Sequence, residues 1–458
     1  MLRYFSDYLK EWQNRSHRKP LIIRGARQVG KTYTIENFGE ENFEETITIN
    51  FEETPELKHF FQNNDVKQII RNLEIYFEKK IILSKTLLFL DEIQTCPEAI
   101  VSLRYFYEKI PDLHILVAGS LLDQVLNDMK YSMPVGRVEF AYMYPLNFNE
   151  FLLALNKKSL VNYLENYNIK QKIPIAIHNK LMEYTRLYFF IGGMPEAVKV
   201  YSQTKSLIDV ERIHESIVKS FEFDFSKYGT STQQNIMTKL LRYLPKVGCQ
   251  KFKYVNFDSS IRSDITKKSL WLLNMSRITY LIYNTKATGI PLEHNINEKV
   301  FKTLFLDIGL SNHILKLRLT DIENLQTKIE GNLAEQFIGQ ELNCLPPYFT
   351  ENNLYYWMRE KRNSEAEIDY LTEIENKIIP IEVKSGKTGT LKSLQVFVAE
   401  KNSDIAIRFN ADLPSKTQIE TSIKIAKKLK KVNFQLISLP LYLVSNCFQN
   451  KIIFNHRN

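Results

Sequence analysis

Two groups of residues in this 458-residue chain have the types and spacing that chemistry requires. The first is Gly25-Ala26-Arg27-Gln28-Val29-Gly30-Lys31-Thr32, which fits G-x-x-x-x-G-K-[ST] at every fixed position. Glycines at 25 and 30 permit backbone geometries closed to other residues, so that amide N–H groups can face anionic oxygens. Lys31 adds a point charge for β- and γ-phosphates, and the Thr32 hydroxyl can ligate a divalent cation. Downstream, the apolar run Leu87-Leu88-Phe89-Leu90 ends abruptly in Asp91-Glu92. Asp91 has the chemistry to hold that cation through water, and Glu92 to polarise an attacking water as a general base. Together these residues imply binding and hydrolysis of a nucleoside triphosphate, ATP with Mg²⁺.

Three further residues could join this site. Ser120 follows the apolar run His114 to Ala118 and can either sense a γ-phosphate from the strand end or cap the next helix. Arg137 can reach a γ-phosphate in its own chain or in a neighbour, or be a surface arginine in a loop. Arg27, inside the glycine loop, is expected to point to solvent or to a partner.

The second group lies far downstream. Glu367-Ile368-Asp369-Tyr370-Leu371 and Lys377-Ile378-Ile379-Pro380-Ile381-Glu382-Val383-Lys384 are two segments that can pair as a hairpin. On a strand Glu382 and Lys384 share one face. Asp369 and Glu382 could then hold a divalent metal while Lys384 orients or activates a hydrolytic water, the chemistry of phosphodiester cleavage. Alternating charges of this kind can equally be a solvated strand face.

The elements that must position these groups can be read from the apolar pattern. Leu21-Ile22-Ile23-Arg24 reads as a buried strand, and Tyr33 to Phe38 as the start of a helix, which places the glycine loop at a helix N-terminus. The sixty residues from Lys31 to Asp91 leave room for a strand over Glu45 to Asn50 and two helices. That spacing suits an ATPase with an additional strand better than a small-molecule kinase. Beyond Phe151 the pattern is helical. The paired glycines of Gly192-Gly193-Met194-Pro195 imply a turn with a close backbone approach. Residues 231–300 read as helix, loop, helix and strands, the order of a winged helix, with Arg262, Lys267 and Lys268 available to DNA if it is not a packing module. Asp307 could bind a cation or cap a helix. Lys424 to Lys431 reads as a basic helix, either solvated or near nucleic acid.

Composition narrows the classes. At 44% hydrophobic and 25% charged residues the chain should fold, and its length implies roughly two to four domains. Four scattered cysteines and eight histidines without ligand spacing indicate neither a disulfide framework nor a zinc site. No run of about 18 apolar residues and no signal-like N-terminus are present, so a cytoplasmic protein without membrane contact is expected. The net charge of +9 is uneven: residues 1–150 carry −4 and the rest +13, an excess that suits a polyanionic partner such as nucleic acid.

The stretches Arg24 to Thr32, Leu90 to Gln94, Ala118 to Ser120, Gly136-Arg137, Tyr144 to Phe151 and Gly192 to Glu196 together resemble the prokaryotic AAA-type ATP-binding proteins that carry a C-terminal nuclease-like domain. The resemblance covers residues 1 to about 400. Its C-terminal pattern is similar to the PD-(D/E)xK restriction-endonuclease-like fold, and on that likeness Glu335 stands where a further metal-binding acid is carried. The fold class expected is therefore α/β: an AAA-type ATPase domain with a parallel sheet over residues 1–150, a helical lid over 151–230, a winged-helix-like region over 231–300 and a restriction-endonuclease-like domain over 301–458. ATP turnover would drive conformational change or assembly, with a homo-oligomer expected if Arg137 acts between subunits. The C-terminal domain would cleave nucleic acid, or recognise DNA or protein without chemistry.

Overall fold

The computed structural model describes residues 1–119, 134–227, 229–318, 328–359, 366–386, 391–425 and 428–448. The chain forms two compact units. The first comprises residues 1–146 with two later segments, 271–278 and 346–351; the second comprises 147–270, 279–345 and 352–458. Residues 231–300 thus contribute to both.

In the first unit, β1 (Leu21–Arg24), β2 (Glu45–Asn50), β3 (Thr86–Asp91), β4 (His114–Ala118) and β5 (Glu139–Tyr142) form a sheet in the order β2-β3-β4-β1-β5. Every pairing is parallel. Parallel strands are covered on both faces and must be apolar throughout, which explains why β3 and β4 are buried at every position. β4 stands between the strand leading to the glycine loop and the strand bearing Asp91, and the strand expected over Glu45 to Asn50 is β2, beside β3. Each connecting helix begins on a local signal. Asp65 accepts from the amides of Lys67 and Gln68 to start Val66–Phe77, and Pro97 opens Pro97–Lys109 at a position where its missing N–H costs nothing. Helix faces carrying Ile69, Leu73, Ile100, Leu103 and Phe106 close the core over Ile47, Leu88 and Ile115.

The second unit is built on an eight-stranded mixed sheet, ordered β12-β13-β11-β10-β9-β8-β6-β7. Its strands are β6 (Thr279–Thr285), β7 (Ile296–Phe305), β8 (Tyr355–Met358), β9 (Glu367–Ile374), β10 (Lys377–Val383), β11 (Ile405–Asn410), β12 (Ser415–Ile425) and β13 (Lys428–Pro440). β9 and β10 pair antiparallel, as expected, across a two-residue turn in which Glu375 and Asn376 both take positive φ. β10 then pairs parallel with β11 after the helix Lys392–Lys401.

The helix Lys328–Asn343 lies against this sheet because Gly339 has no side chain: a Cβ there would collide with the Tyr370 hydroxyl and stand 2.7 Å from Leu304. Glu335, one turn earlier on the same helix face, is brought toward the sheet by that close approach.

Several expectations resolve at this level. Asp307 is a cap: it accepts from Leu310 N at 3.0 Å and from Gly193 N at 2.6 Å, and the close backbone approach inferred from the glycine pair is made by Gly309, where a Cβ would collide with the backbone of Ile191 and Gly192. Lys424 to Lys431 is a correction. Lys424 and Ile425 end β12 and Lys428 to Lys431 begin β13, its antiparallel partner; along β12 Ile419 and Ile423 pack inward while Lys416 and Lys424 face outward. Alternation at period two outweighed the lysine spacing once β13 was available to pair. Downstream of residue 231 the second helix runs Ser263–Met275, so the apolar stretch from Leu270 begins as helix and becomes strand at Thr279. Among the described residues no helix is long and apolar enough to cross a membrane.

Candidate functional site

β1 ends at Arg24 and the loop Gly25 to Gly30 delivers the chain to the helix Lys31–Asn42. Gly25 is required by space, since a Cβ would collide with the Met143 carbonyl oxygen. Gly30 is required by backbone, with φ at +91° where it caps the helix. Ala26 and Val29 are buried and anchor the loop, which is further tied by Arg3 donating to Val29 O. Arg24, preceding the loop, lies over the Phe140 ring at 4.1 Å.

Lys31 is buried, and its Nζ donates to Gly25 O at 2.9 Å and Ala26 O at 2.8 Å. Burial pulls its pKa down to about 8, against the opposing pull of Glu92 and Asp91. This is an ammonium deprived of water in a loop of amides, a place that gains from an anion.

Thr32 Oγ1 donates to Asp91 Oδ2 at 2.8 Å, joining residues 59 apart in sequence. Asp91 Oδ1 accepts from Glu92 N, and burial raises the Asp91 carboxyl against the stabilising hydrogen bond from Thr32. A hydroxyl and a carboxylate side by side are the hard oxygen donors that Mg²⁺ takes while keeping most of its waters. The loop amides, Lys31 and this pair therefore fit a magnesium–nucleotide complex.

Glu92 takes a left-handed conformation, φ 49° and ψ 42°, as the chain turns out of β3. Its Oε2 accepts from Gln94 Nε2 at 2.5 Å. Gln94 is itself buried, and its Oε1 fills the place where a Cβ on Gly119 would stand. Gln94 is a positioning residue that sequence reasoning passed over, although it lies only two residues past Glu92. Loss of a hydrogen bond to a charged group costs about 1.5–3 kcal/mol. Gln94→Ala is therefore expected to lower kcat roughly tenfold to a hundredfold with KM nearly unchanged; a change confined to KM would deny Gln94 this role.

Arg137 stands away from the glycine loop of its own chain. Leu21 pairs with Glu139 and Arg24 with Tyr142, so β5 runs parallel to β1 and Arg137 precedes the end remote from the glycine loop. Its guanidinium instead pairs with Glu108 at 2.9 Å and holds that carboxyl below its ordinary range. Ser120 lies outside the described residues, and Arg27 stands in the loop itself.

In the second unit the structure brings Glu335, Asp369, Glu382 and Lys384 to one face. Asp369 Oδ2 accepts from Val383 N at 2.7 Å, and Lys384 Nζ donates to Glu382 Oε1. Burial raises the Glu382 carboxyl to about 7, with Asp369 adding to the rise, and burial raises Glu335 in the face of Lys302. The three carboxylates of the expected metal set, Glu335, Asp369 and Glu382, lie close enough to raise one another, with Lys302 among them. Among the described residues no group of three or more His, Cys, Asp and Glu is arranged to hold a metal ion. Lys302 Nζ lies 2.8 Å from Glu335 Oε1 and 2.5 Å from Glu367 Oε1. A divalent ion on Glu335 does not fit beside that ammonium.

Family models match three stretches of the chain. Residues 17–152 match a family model described as an AAA domain, residues 182–321 a domain of unknown function (DUF8612), and residues 330–442 a domain of unknown function (DUF4143). An uncharacterized protein of Methanocaldococcus jannaschii is 24% identical over 372 residues, 78% of this chain and 72% of that protein. The ribosomal operon-associated A protein of Euglena longa is 26% identical over 190 residues, 38% of this chain and 34% of its own. Among solved structures, the Aeropyrum pernix ORC2 protein shares 13% identity with a TM-score of 0.36, covering 70% of this chain and 94% of its own. The Thermotoga maritima RuvB Holliday junction branch migration motor shares 13% with a TM-score of 0.28, covering 68% and 92%. Likenesses this remote carry no argument. Residues 17–152 of the first unit form a P-loop AAA-type domain on their family match.

Proposed function

With an AAA-type domain over residues 17–152 as the premise, we propose that this chain hydrolyses Mg²⁺-ATP and uses the turnover to govern binding of nucleic acid by its second unit. The observation that carries the ATPase reading is the 2.8 Å contact of Thr32 with Asp91, which makes one site of the glycine loop and the β3 strand end. The loop amides cradle the phosphates at a helix N-terminus. Lys31, which donates to the carbonyls of Gly25 and Ala26, would neutralise the β- and γ-oxygens, and Thr32 with Asp91 would hold the metal. Glu92, held by Gln94, accepts the proton of the attacking water. The bound metal supplies charge stabilisation at the transferring phosphoryl group.

For the second unit, two features support a restriction-endonuclease-like arrangement that binds nucleic acid. The order of elements is a helix (Lys328–Asn343), the antiparallel strands β8, β9 and β10, a helix (Lys392–Lys401), and β11 parallel to β10. The positive charge of the chain lies beyond residue 150, where net charge is +13, and outward lysines mark the β12/β13 hairpin.

The test is fluorescence anisotropy of a labelled DNA duplex at several salt concentrations with ATP or ADP present. Binding is expected to weaken steeply with salt and to differ at least severalfold between the two nucleotides. Equal affinity in both, or no binding at low salt, would remove nucleic acid from this reading and leave the ATPase alone.

A further inference from the structure

Lys302 interrupts the apolar strand Val300-Phe301-Lys302-Thr303-Leu304-Phe305 and is 1% exposed. A buried ammonium persists only with partners, and it has them: Glu335 at 2.8 Å from the Lys328–Asn343 helix, and Glu367 at 2.5 Å from β9. Its Nζ also lies 5.0 Å from the centroid of Tyr356 on β8. Burial pulls the lysine toward neutrality, yet Glu335, Glu367 and Asp369 outweigh burial and hold it charged.

The same sheet face carries the groups a metal-dependent phosphodiesterase would use, but differently committed. Lys384 pairs with Glu382 Oε1, Asp369 accepts from Val383 N, and Glu382 Oε2 is buried without a hydrogen-bond partner. That oxygen is the place where a divalent ion would be sought.

We propose that Lys302 is the resident cation of this site, standing in for a divalent metal between Glu335 and Glu367 and leaving the site metal-free. Four carboxylates, Glu335, Glu367, Asp369 and Glu382, then face two fixed ammonium groups, Lys302 and Lys384. A dication entering beside Glu335 meets the Lys302 charge at hydrogen-bonding range, and the lysine has no water to retreat into. The inference rests on the restriction-endonuclease-like reading only for where a metal would be looked for.

The experiment is Mn²⁺ binding followed by electron paramagnetic resonance on the full, nucleotide-free chain. It compares the parent with Glu382→Gln, Lys302→Met and the double variant. The parent is expected to show no Mn²⁺ that Glu382→Gln removes. Lys302→Met is expected to gain one site, at least tenfold tighter than any weak residual binding, which the double variant loses. A Glu382-dependent Mn²⁺ in the parent overturns the proposal, as does a folded Lys302→Met that gains none. If Lys302→Met does not fold, the parent against Glu382→Gln decides alone. Duplex binding in EDTA is measured beside it: its absence would sink nucleic-acid recognition while the Mn²⁺ result stood on its own.

Discussion

Lys31→Ala is expected to weaken ATP binding roughly 30-fold to several-thousand-fold, the equivalent of about 2–5 kcal/mol for removing one partner of a buried charge pair. The reason is geometric. Lys31 is the buried cation of the loop, held by two carbonyl oxygens, and the methyl group left by the substitution has no charge to answer the phosphates. Titration of a fluorescent ATP analogue, with thermal melting to confirm folding, measures the loss. A pH signature accompanies it. Because burial lowers the free Lys31 pKa to about 8, the lysine loses its proton as pH rises through that value, whereas bound phosphates favour the charged form. Binding above pH 8 must therefore take up a proton, and affinity should fall as pH rises. In Lys31→Ala that component of the dependence should vanish. Retention of parent affinity would mean that the loop does not bind phosphate through this residue.

Glu92→Gln is expected to separate binding from turnover. Removing a general base lowers rates by typically 10²–10⁴, while the loop, Lys31, Thr32 and Asp91 remain to hold ATP. A glutamine keeps the shape and can still accept from Gln94, so the 2.5 Å contact that orients residue 92 survives in kind. The variant should bind ATP within a few-fold of the parent and release phosphate at a small fraction of its rate. Equal loss of binding would instead make Glu92 a structural residue of the β3 turn. The two variants thus fail in different ways, Lys31→Ala at binding and Glu92→Gln at the chemical step.

What the sequence showed and what it hid follow from how far each contact reaches. The glycine loop and the β3 strand end are runs of consecutive residues with fixed local chemistry, and a parallel strand covered on both faces announces itself as an unbroken apolar run. Their junction through Thr32 and Asp91 was legible because each motif implies the other. The place of Arg137 was not legible because the direction of β5 beside β1 is a tertiary fact, and that direction puts it away from its own glycine loop, against Glu108. The lysine run from 424 was assigned to a helix on local spacing, while the pairing of β12 with β13 is a contact that spacing alone does not reveal. Lys302 was overlooked for the opposite reason. Glu335 and Glu367 lie 33 and 65 positions away, but a lysine inside the apolar run Val300 to Leu306 was itself a signal that a buried carboxylate had to meet it. Gln94 needed only the observation that Glu92 leaves β3 in a left-handed turn, which no residue pattern states.

The most direct measurement is phosphate release from ATP by the parent chain, followed over many turnovers with Mg²⁺ and again with EDTA. One site built from Thr32, Asp91 and Glu92 predicts continued release well beyond one phosphate per chain, abolished by EDTA and restored by added Mg²⁺. No release beyond background under saturating Mg²⁺-ATP, or release indifferent to EDTA, would contradict the account.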